Sequence, residues 1–481
     1  MTKPQIFRPS TYNIIVELKN APDKYMMVHG YTGAIDIANP NVIELLKPGN
    51  RVSRVNSLVS IKTFNTLVKR GYLTQKTAAE ERQFCQRWAN FMHSWRKRFG
   101  MRSFMFMVTY DCNFRCPYCY ESTISEHGRQ WTKKTFTKEM VDRAYEAMTE
   151  IEPDEQKRAK SITLYGGEPL LAQNREIVEY IVQKGLEQGY KFEAISNGYE
   201  IDHYLNLLDP EKIYSIQISV DGPKEIHDRR RYHYQDGGTF DKIFQNIGLA
   251  LNKGIRIGLR ANTDATNYQF IESLYDQFKS IGYTDNPNFV FSAALVVGDE
   301  NIRPESQVIS NPEHPATLLS KADFNAKMQQ TKVPGQHQEM WIYRKLYTAI
   351  KHKARIDFSP VYCGVQVGAY ILDPFGDIYN CWETVGKKRH ILGHYTEGIS
   401  WEKETENWHQ RNIATTPRCS VCKYAFLCGG GCLAKVLKAY NDFTKPYCHS
   451  FPEIFHQIAN NAYDAYMQDP ICECHSNLNK K

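Results

Sequence analysis

The sequence predicts an α/β protein built on repeated strand–helix units, with a small domain before them and a cysteine-rich one after. Three observations carry this. Between about residues 98 and 300, short strand-like runs alternate with helical stretches over short connections, which implies a parallel sheet covered by helices. Glycine and polar residues cluster just after most of those runs, the asymmetry expected of a TIM-type (β/α) barrel whose site lies at the C-terminal face of its strands. Finally, the thirteen cysteines are unevenly spread: twelve lie beyond residue 111, and ten of those fall into two groups, leaving Cys85, Cys472 and Cys474 outside.

A chain of 481 residues has room for about three domains. With 42% hydrophobic and 23% charged residues it reads as an ordinary soluble globular protein. A net charge of +7 suits an acidic peptide partner, and a solvated Lys/Arg surface equally well. The N-terminal Met1-Thr-Lys-Pro-Gln5 lacks the apolar core of a signal peptide and no run is long enough to span a bilayer, so a cytoplasmic location and no membrane partner are expected. In such a chain the cysteines read as metal ligands rather than as a disulfide framework.

Residues 1–97 form the first segment. Tyr12–Leu18 and Lys24–Val28 read as strands around an Ala-Pro-Asp turn, with Ala34–Ile37 as a third. Val42–Leu46 reads as a helical turn. Ser60–Arg70 sets Ile61, Phe64, Leu67 and Val68 on one face and is closed by Gly71, and a further helix is expected over Ala78–Arg96.

Residues 98–300 hold the repeated units. Strand Phe104–Val108 runs into a cysteine loop, and helix Lys138–Ile151 follows with Thr137 as its N-cap. Strands Ser161–Tyr165, Phe192–Ile195, Ile213–Ile218, Ile255–Leu259 and Phe289–Val297 complete six, with helices Phe240–Lys253 and Tyr268–Ile281 between the last three. Residues 301–353 bridge onward. Gly298–Leu318 reads as a long polar loop, Pro334-Gly335 as a turn, and Gln336–Lys353 as a helix. Residues 354–481 carry the second cysteine group.

The first group, Cys112, Cys116 and Cys119, stands in a C-x3-C-x2-C array with Tyr118 just before its last member. Three close thiolates can hold three irons of a cubane and leave the fourth iron open. Part of a zinc site is the other reading the residues allow. The array resembles the signature of the radical S-adenosylmethionine (SAM) enzymes. That resemblance implies a partial (β/α)6 TIM-type barrel, a [4Fe–4S] cluster on Cys112, Cys116 and Cys119 as the catalytic centre, and SAM on the open iron. It also implies cofactor contacts from Tyr118 and from Gly166, Gly167, Glu168 and Pro169, which are similar to the family's GGE motif, with Glu168 accepting from the SAM ammonium. Ser196, Asn197, Ser219 and Arg260, at the ends of later strands, stand where family members contact ribose or carboxylate, and solvated loop residues are the alternative for each. Arg229-Arg230-Arg231 could hold the SAM carboxylate or a peptide, or form a solvated basic turn.

The second group reads C-x12-G-x4-C over Cys363, Gly376 and Cys381, then C-x2-C-x5-C-x3-C over Cys419, Cys422, Cys428 and Cys432, then Cys448. This resembles the seven-cysteine pattern of the SPASM domain of peptide- and protein-modifying radical SAM enzymes. The resemblance implies two auxiliary [4Fe–4S] clusters, three clusters in all. Cys363, Cys381 and Cys432 serve cluster I, and Cys419, Cys422, Cys428 and Cys448 serve cluster II. Gly376 suits a tight hairpin bringing Cys363 and Cys381 together. The chain departs from some members in having no cysteine a few residues before Cys363, so cluster I is one thiolate short. Asp357, Cys472 or Cys474, or no protein group, could fill the place. An open iron would suit a substrate thiolate and a thioether product, with a carbon–carbon bond as the rival.

Strands followed by small helices at the N-terminus resemble the winged-helix leader-peptide recognition element of ribosomal-peptide modifying enzymes, where an edge strand accepts an extended peptide. A structural cap is the bland alternative. Together the resemblances imply a peptide maturase acting on a leader-bearing precursor, with a flavodoxin- or ferredoxin-type electron donor and no nucleic-acid partner. A sulfatase-maturating enzyme is the alternative, although Cys381 is followed by Trp382-Glu383 where that enzyme has its catalytic Asp. An iron–sulfur winged-helix nucleic-acid-binding protein is a third reading.

Overall fold

The computed structural model describes residues 5–119, 121, 128–296, 318–333, 340–448 and 450–469. The expected loop at 298–318, apart from Leu318, lies outside the described residues, as do the Pro334-Gly335 turn, Cys472 and Cys474. The chain divides into two compact units, one of Met1–Arg96, Glu339–Cys363 and Gln410–Lys481, the other of Lys97–Gln338 and Gly364–His409.

The first unit opens with β1 (Ile6–Pro9), β2 (Asn13–Glu17), β3 (Tyr25–His29) and β4 (Ile35–Ala38), then α1 (Pro40–Leu45), β5 (Val52–Ser53), α2 (Ile61–Arg70), β6 (Leu73–Thr74) and α3 (Ala78–Phe99). Strands β2, β3 and β4 form an antiparallel sheet, as the run–turn–run reading predicts, and β1 lies between β5 and β6 in a second one. The three strands of that second sheet escaped the sequence reading, because each is only two to four residues long. Helix α2 begins at Ser60, whose hydroxyl accepts from Thr63 N–H, and ends at Gly71, whose φ of 96° is left-handed. Ile14 and Val16 of β2, Val28 and Ile35, and Cys85 and Ala89 of α3 share one core with Ile413, Cys419, Tyr424 and Phe455 from the C-terminal part of the unit.

The second unit is organised by a ten-stranded sheet. Strands β7 (Arg102–Thr109), β8 (Arg158–Gly166), β9 (Lys191–Ser196), β10 (Ile213–Ser219), β11 (Arg256–Thr263) and β12 (Phe289–Leu295) lie side by side in chain order, all parallel. Helices α4 (Arg129–Thr132), α5 (Lys138–Ile151), α6 (Arg175–Glu187), α7 (Lys224–Arg230), α8 (Phe240–Asn252) and α9 (Ile271–Ser280) connect them, and α10 (Lys321–Gln329) follows β12. Thr137 caps α5 by accepting from Met140 N–H, and Val141, Ala144, Tyr145 and Met148 are buried, the face that the spacing predicts. The shared core gathers β-strand residues such as Phe106, Ile162, Leu164, Phe192, Ile216 and Leu259, all fully buried. Along β9 and β11 burial alternates residue by residue, so one face of each strand is fully buried and the other is less so.

The sheet continues beyond the predicted strands. After α11 (Met340–Lys351) of the first unit, β13 (Ala369–Leu372) pairs in parallel with β7, and β14 (Asp377–Tyr379), β15 (Gly393–His394) and β16 (Ser400–Trp401) extend the sheet antiparallel. The sequence places this stretch with the C-terminal cysteines, since a four-residue run carries no period of its own. Helices α12 (Glu404–Gln410), α13 (Ala425–Cys428), α14 (Leu433–Tyr440) and α15 (Phe451–Gln468) complete the chain. Among the described residues no helix is long and apolar enough to cross a membrane.

The β13–β14 turn is held by Asp373, whose Oδ1 accepts from Phe375 N–H and Asp377 N–H, both 2.9 Å, and whose Oδ2 accepts from Tyr110 OH at 2.8 Å. Burial, then the charge of Asp377, pushes its carboxyl up to about 7. A carboxyl raised on folding stabilises the fold fully below its ordinary pKa and loses that contribution as pH rises through the raised value. The loss is about 1.4 kcal/mol for each pH unit between the two values. Asp373→Asn keeps the acceptor for both amides and cannot ionise. The stability of the parent relative to this variant is therefore expected to fall between about pH 4 and pH 7. A constant difference in urea midpoint across that window would contradict it.

Candidate functional site

The loop after β7 carries Cys112, Cys116 and Cys119. Its shape is local: Cys119 N–H donates to Cys116 O at 3.1 Å, and Phe114 N–H donates to Cys112 Sγ at 3.4 Å. Burial raises all three thiols, Cys119 to about 12, and Cys112 also meets the charge of Glu168. Metal-free, the loop therefore holds neutral thiols, and loading a metal must release protons. Desolvation, then Glu168, also pushes the Glu121 carboxyl up to about 8.

The strand ends around this loop carry the predicted cofactor residues. Gly166 and Gly167 lie against the backbone after β7: a Cβ on Gly166 would stand 2.3 Å from Thr109 O, and one on Gly167 2.4 Å from Asp111 O. Their freedom thus lets two loops meet, with Gly167 N–H donating to Thr109 O and Glu168 N–H to Asp111 O. Glu168 is buried and accepts from Leu170 N–H, Ser196 Oγ and Asn197 N–H at 2.9, 2.8 and 2.5 Å. Burial still pushes its carboxyl up to about 7 against those three donors. The side chain expected to meet the SAM ammonium is therefore also the clasp that ties the end of β8 to the end of β9. Pro169 is buried beside it. Asn197 Nδ2 donates to Asn113 Oδ1 at 2.7 Å, which joins the same clasp to the cysteine loop. Ser219 and Arg260 face each other in register across β10 and β11, and Arg260 Nε donates to Asn262 Oδ1 at 3.0 Å.

Tyr118 is held from three sides. Its hydroxyl donates to Asp221 Oδ2 at 2.5 Å and accepts from Arg231 Nη1 at 2.9 Å and Asn262 Nδ2 at 3.3 Å. Arg230 donates to Asp264 Oδ2 at 2.9 Å and sits 3.4 Å from Asp221 Oδ2, so its charge is neutralised within the fold. Arg229 is exposed, whereas Arg231 is buried and lies within reach of the charge of Cys116. Arg230 and Arg231 both face the cysteine loop: the Arg230 guanidinium lies 5.1 Å from the centre of the Tyr118 ring, and both charges reach Cys116. Sequence reading passed over Asn113, Asp221 and Asn262 as site residues, and the signal was available for two of them: each stands just after a predicted strand.

Residues 106–268 match the family model described as the radical SAM superfamily. The chain contains a radical SAM domain. The cysteine-type anaerobic sulfatase-maturating enzyme of Clostridium novyi (strain NT) is 23% identical over 369 residues, covering 72% of this chain and 91% of its own length. The enzyme of that name from Clostridium perfringens (strain 13 / Type A) is 26% identical over 370 residues, covering 73% and 96%. Among solved structures, native anSMEcpe with bound AdoMet and Cp18Cys peptide matches with a TM-score of 0.54 at 17% identity, over 76% of this chain and 99% of that one, a likeness of fold.

A radical SAM domain takes SAM and a [4Fe–4S] cluster, and the loop fits the cluster. Its three thiols lie on one turn within electrostatic reach of each other, with a buried guanidinium nearby to offset the charge of thiolates. Among the described residues no three Cys, His, Asp or Glu side chains converge as on a single ion. A cubane takes one thiolate per iron and spreads its ligands wider than a mononuclear site does.

The remaining cysteines fall in both units. Cys381, after β14, belongs to the radical SAM domain's unit, where the Tyr165 hydroxyl at the end of β8 lies within reach of the charges of both Cys119 and Cys381. Cys363, Cys419, Cys422, Cys428, Cys432 and Cys448 belong to the other unit. There the run Cys428-Gly-Gly-Gly-Cys432 has all three glycines left-handed, at φ of 70°, 84° and 79°. A Cβ on Gly429 would stand 2.5 Å from Tyr362 N, and one on Gly431 2.1 Å from Tyr447 O. The triple-glycine turn thus presses against the residues next to Cys363 and Cys448. Ile413 N–H donates to Pro360 O and Ser359 N–H to Phe426 O, stitching the same segments together. Asp357, one option for the missing ligand, is exposed and lies 3.5 Å from Lys345 Nζ.

Proposed function

We propose that the chain is a radical SAM peptide maturase that removes hydrogen from a ribosomally made precursor and closes a cross-link in it, a thioether in preference to a carbon–carbon bond. Cys112, Cys116 and Cys119 hold the SAM-binding cluster. The other seven grouped cysteines, Cys363, Cys381, Cys419, Cys422, Cys428, Cys432 and Cys448, hold the auxiliary clusters. When bound, cluster and SAM supply a carbon radical able to abstract hydrogen. The protein's part is to orient and to exclude water. Glu168 fixes the loops after β8 and β9, and its remaining acceptor capacity meets the SAM ammonium. Gly166, Gly167 and Pro169 shape that wall. Ser196, Asn197, Ser219 and Arg260 line the strand ends for ribose and carboxylate, and Tyr118, clamped by Asp221 and Arg231, fixes the cysteine loop.

The observation that carries the peptide reading is the continuous core between the β2–β4 sheet with its helices and the C-terminal cysteine lobe. A recognition module packed in this way keeps a tethered peptide at a fixed place relative to that lobe. About a quarter of the chain lies outside the match to the sulfatase-maturating relatives, which leaves material for such a module. The β2 edge is closed, since Lys423 Nζ donates to Asn13 O and Asn460 Nδ2 to Glu17 O. On the opposite edge, β4, Arg70 Nη2 donates to Ile35 O at 2.8 Å, so strand addition falls to the other end of β4, where Ile37 is 40% exposed. A cavity of about 500 Å³, lined by Arg8, Ser10, Asn13, Asn50, Arg51 and Lys423, offers basic and polar groups to an acidic leader.

The test is incubation of the reduced, SAM-supplied enzyme with a Cys-containing precursor encoded beside its gene. A thioether appears as loss of a hydrogen pair and of the free thiol. Ile37→Asp should weaken precursor binding by about tenfold or more, one buried aliphatic contact, and leave uncoupled SAM cleavage unchanged. The relatives' names favour a second reading, maturation of a sulfatase Cys to formylglycine. Conversion of a sulfatase peptide with no change in the precursor would select that reading instead.

A further inference from the structure

Arg411 is 3% exposed, deep in the lobe that carries six cysteines. Its Nε donates to Phe443 O at 2.9 Å, and its Nη2 donates to Gly430 O at 3.1 Å and Lys445 O at 2.9 Å. These carbonyls belong to the two segments that end in cysteine ligands, the glycine turn between Cys428 and Cys432 and the stretch leading to Cys448. A Cβ placed on Gly430 would stand 3.6 Å from both Nη atoms of Arg411 and 3.6 Å from Cys419 Sγ, so guanidinium and thiol flank one small gap. The charges of Cys419, Cys428, Cys432 and Cys363 all reach the guanidinium. Nearby Arg418 is exposed and Lys423 is half-buried, so Arg411 is the fully desolvated cation of this group.

We propose that Arg411 is a positioning residue for the iron–sulfur site of this lobe, with two separable effects. Its fork holds the Cys428–Cys432 turn and the Cys448 segment in one geometry, and its fixed positive charge, beside Cys419, raises the reduction potential of the cluster on Cys419, Cys422, Cys428 and Cys448. A buried cation stabilises the reduced state, which has one more negative charge, and low-dielectric surroundings preserve the effect. Gly430 belongs to the same device: any side chain there would enter the gap between guanidinium and Cys419, and the residue's φ of 84° also requires glycine. The inference rests on the reading that the C-terminal cysteines bind iron.

The experiment compares the parent, Arg411→Lys and Arg411→Gln as full chains reconstituted with iron and sulfide under anaerobic conditions. Iron content and dithionite titration followed by electron paramagnetic resonance are the readouts. Arg411→Gln should shift the midpoint of one auxiliary signal to more negative potential while the signal of the Cys112–Cys119 cluster stays in place. Arg411→Lys should retain most of the parental midpoint because it keeps the charge. Iron-replete Arg411→Gln with an unshifted midpoint overturns the charge role. If Arg411→Gln fails to retain iron, the Lys variant decides: iron held near the parental midpoint supports the proposal, and loss equal to that of Gln reduces Arg411 to a purely structural tie. A parent chain whose iron is confined to the Cys112–Cys119 loop would instead refute the reading of the C-terminal cysteines.

Discussion

On the proposal of three clusters, replacing Cys112, Cys116 and Cys119 together by Ala is expected to abolish SAM cleavage and to lower bound iron from about twelve to about eight atoms per chain. The activity loss should be total because the cofactor chemistry would have a single point of entry. The open iron that chelates SAM exists only if three thiolates hold the other three. The protein around the loop should survive, since the three side chains make few structural bonds: the loop's turn depends on backbone groups and on Tyr118, which the substitution leaves alone. Iron analysis and release of 5′-deoxyadenosine under dithionite check both halves. Cleavage persisting in the triple variant would refute the assignment of this loop, and loss of all iron would mean the clusters do not load independently.

Asp221→Ala should destabilise the radical SAM unit by about 3–5 kcal/mol, the cost of stripping a buried charge partner. Asp221 is fully buried at the end of β10, where Oδ1 accepts from Asn262 N–H at 3.0 Å and Oδ2 receives Tyr118 OH and the edge of Arg230. Removing it leaves those donors without water to replace the acceptor, and Arg230 keeps only Asp264 as a counter-charge. Tyr118 sits directly before Cys119, so the same change should loosen the cysteine loop and reduce iron retention at that site. Urea unfolding and iron content measured on the same preparation test this. A change under about 1 kcal/mol with full iron would mean that Asp221 is a bystander.

Much of this molecule was legible in the chain itself. The runs that become the six strands, the cap Thr137 and the stop at Gly71 follow from interactions between residues a few positions apart, which a linear sequence records directly. Helix and strand periods reflect burial on one face or two, so Val141, Ala144, Tyr145 and Met148 mark a core before any core is seen. Other features needed the folded chain. That β13 pairs with β7 depends on a register between residues far apart in sequence, and a four-residue apolar run carries no sign of its partner. The clasp of Glu168 with Ser196 and Asn197, the clamp of Tyr118 between Asp221 and Arg231, and the meeting of Arg411 with the glycine turn are all contacts closed across long loops. Their residues are ordinary in sequence, because an Asp, an Asn or an Arg after a strand is most often solvated. Burial alone turns them into determinants, since a charge or amide removed from water must find its partner within the protein. The sequence by itself determined the α/β class and the order of its strands and helices. The tertiary structure decided which polar groups lose their water, and so which of them organise the site.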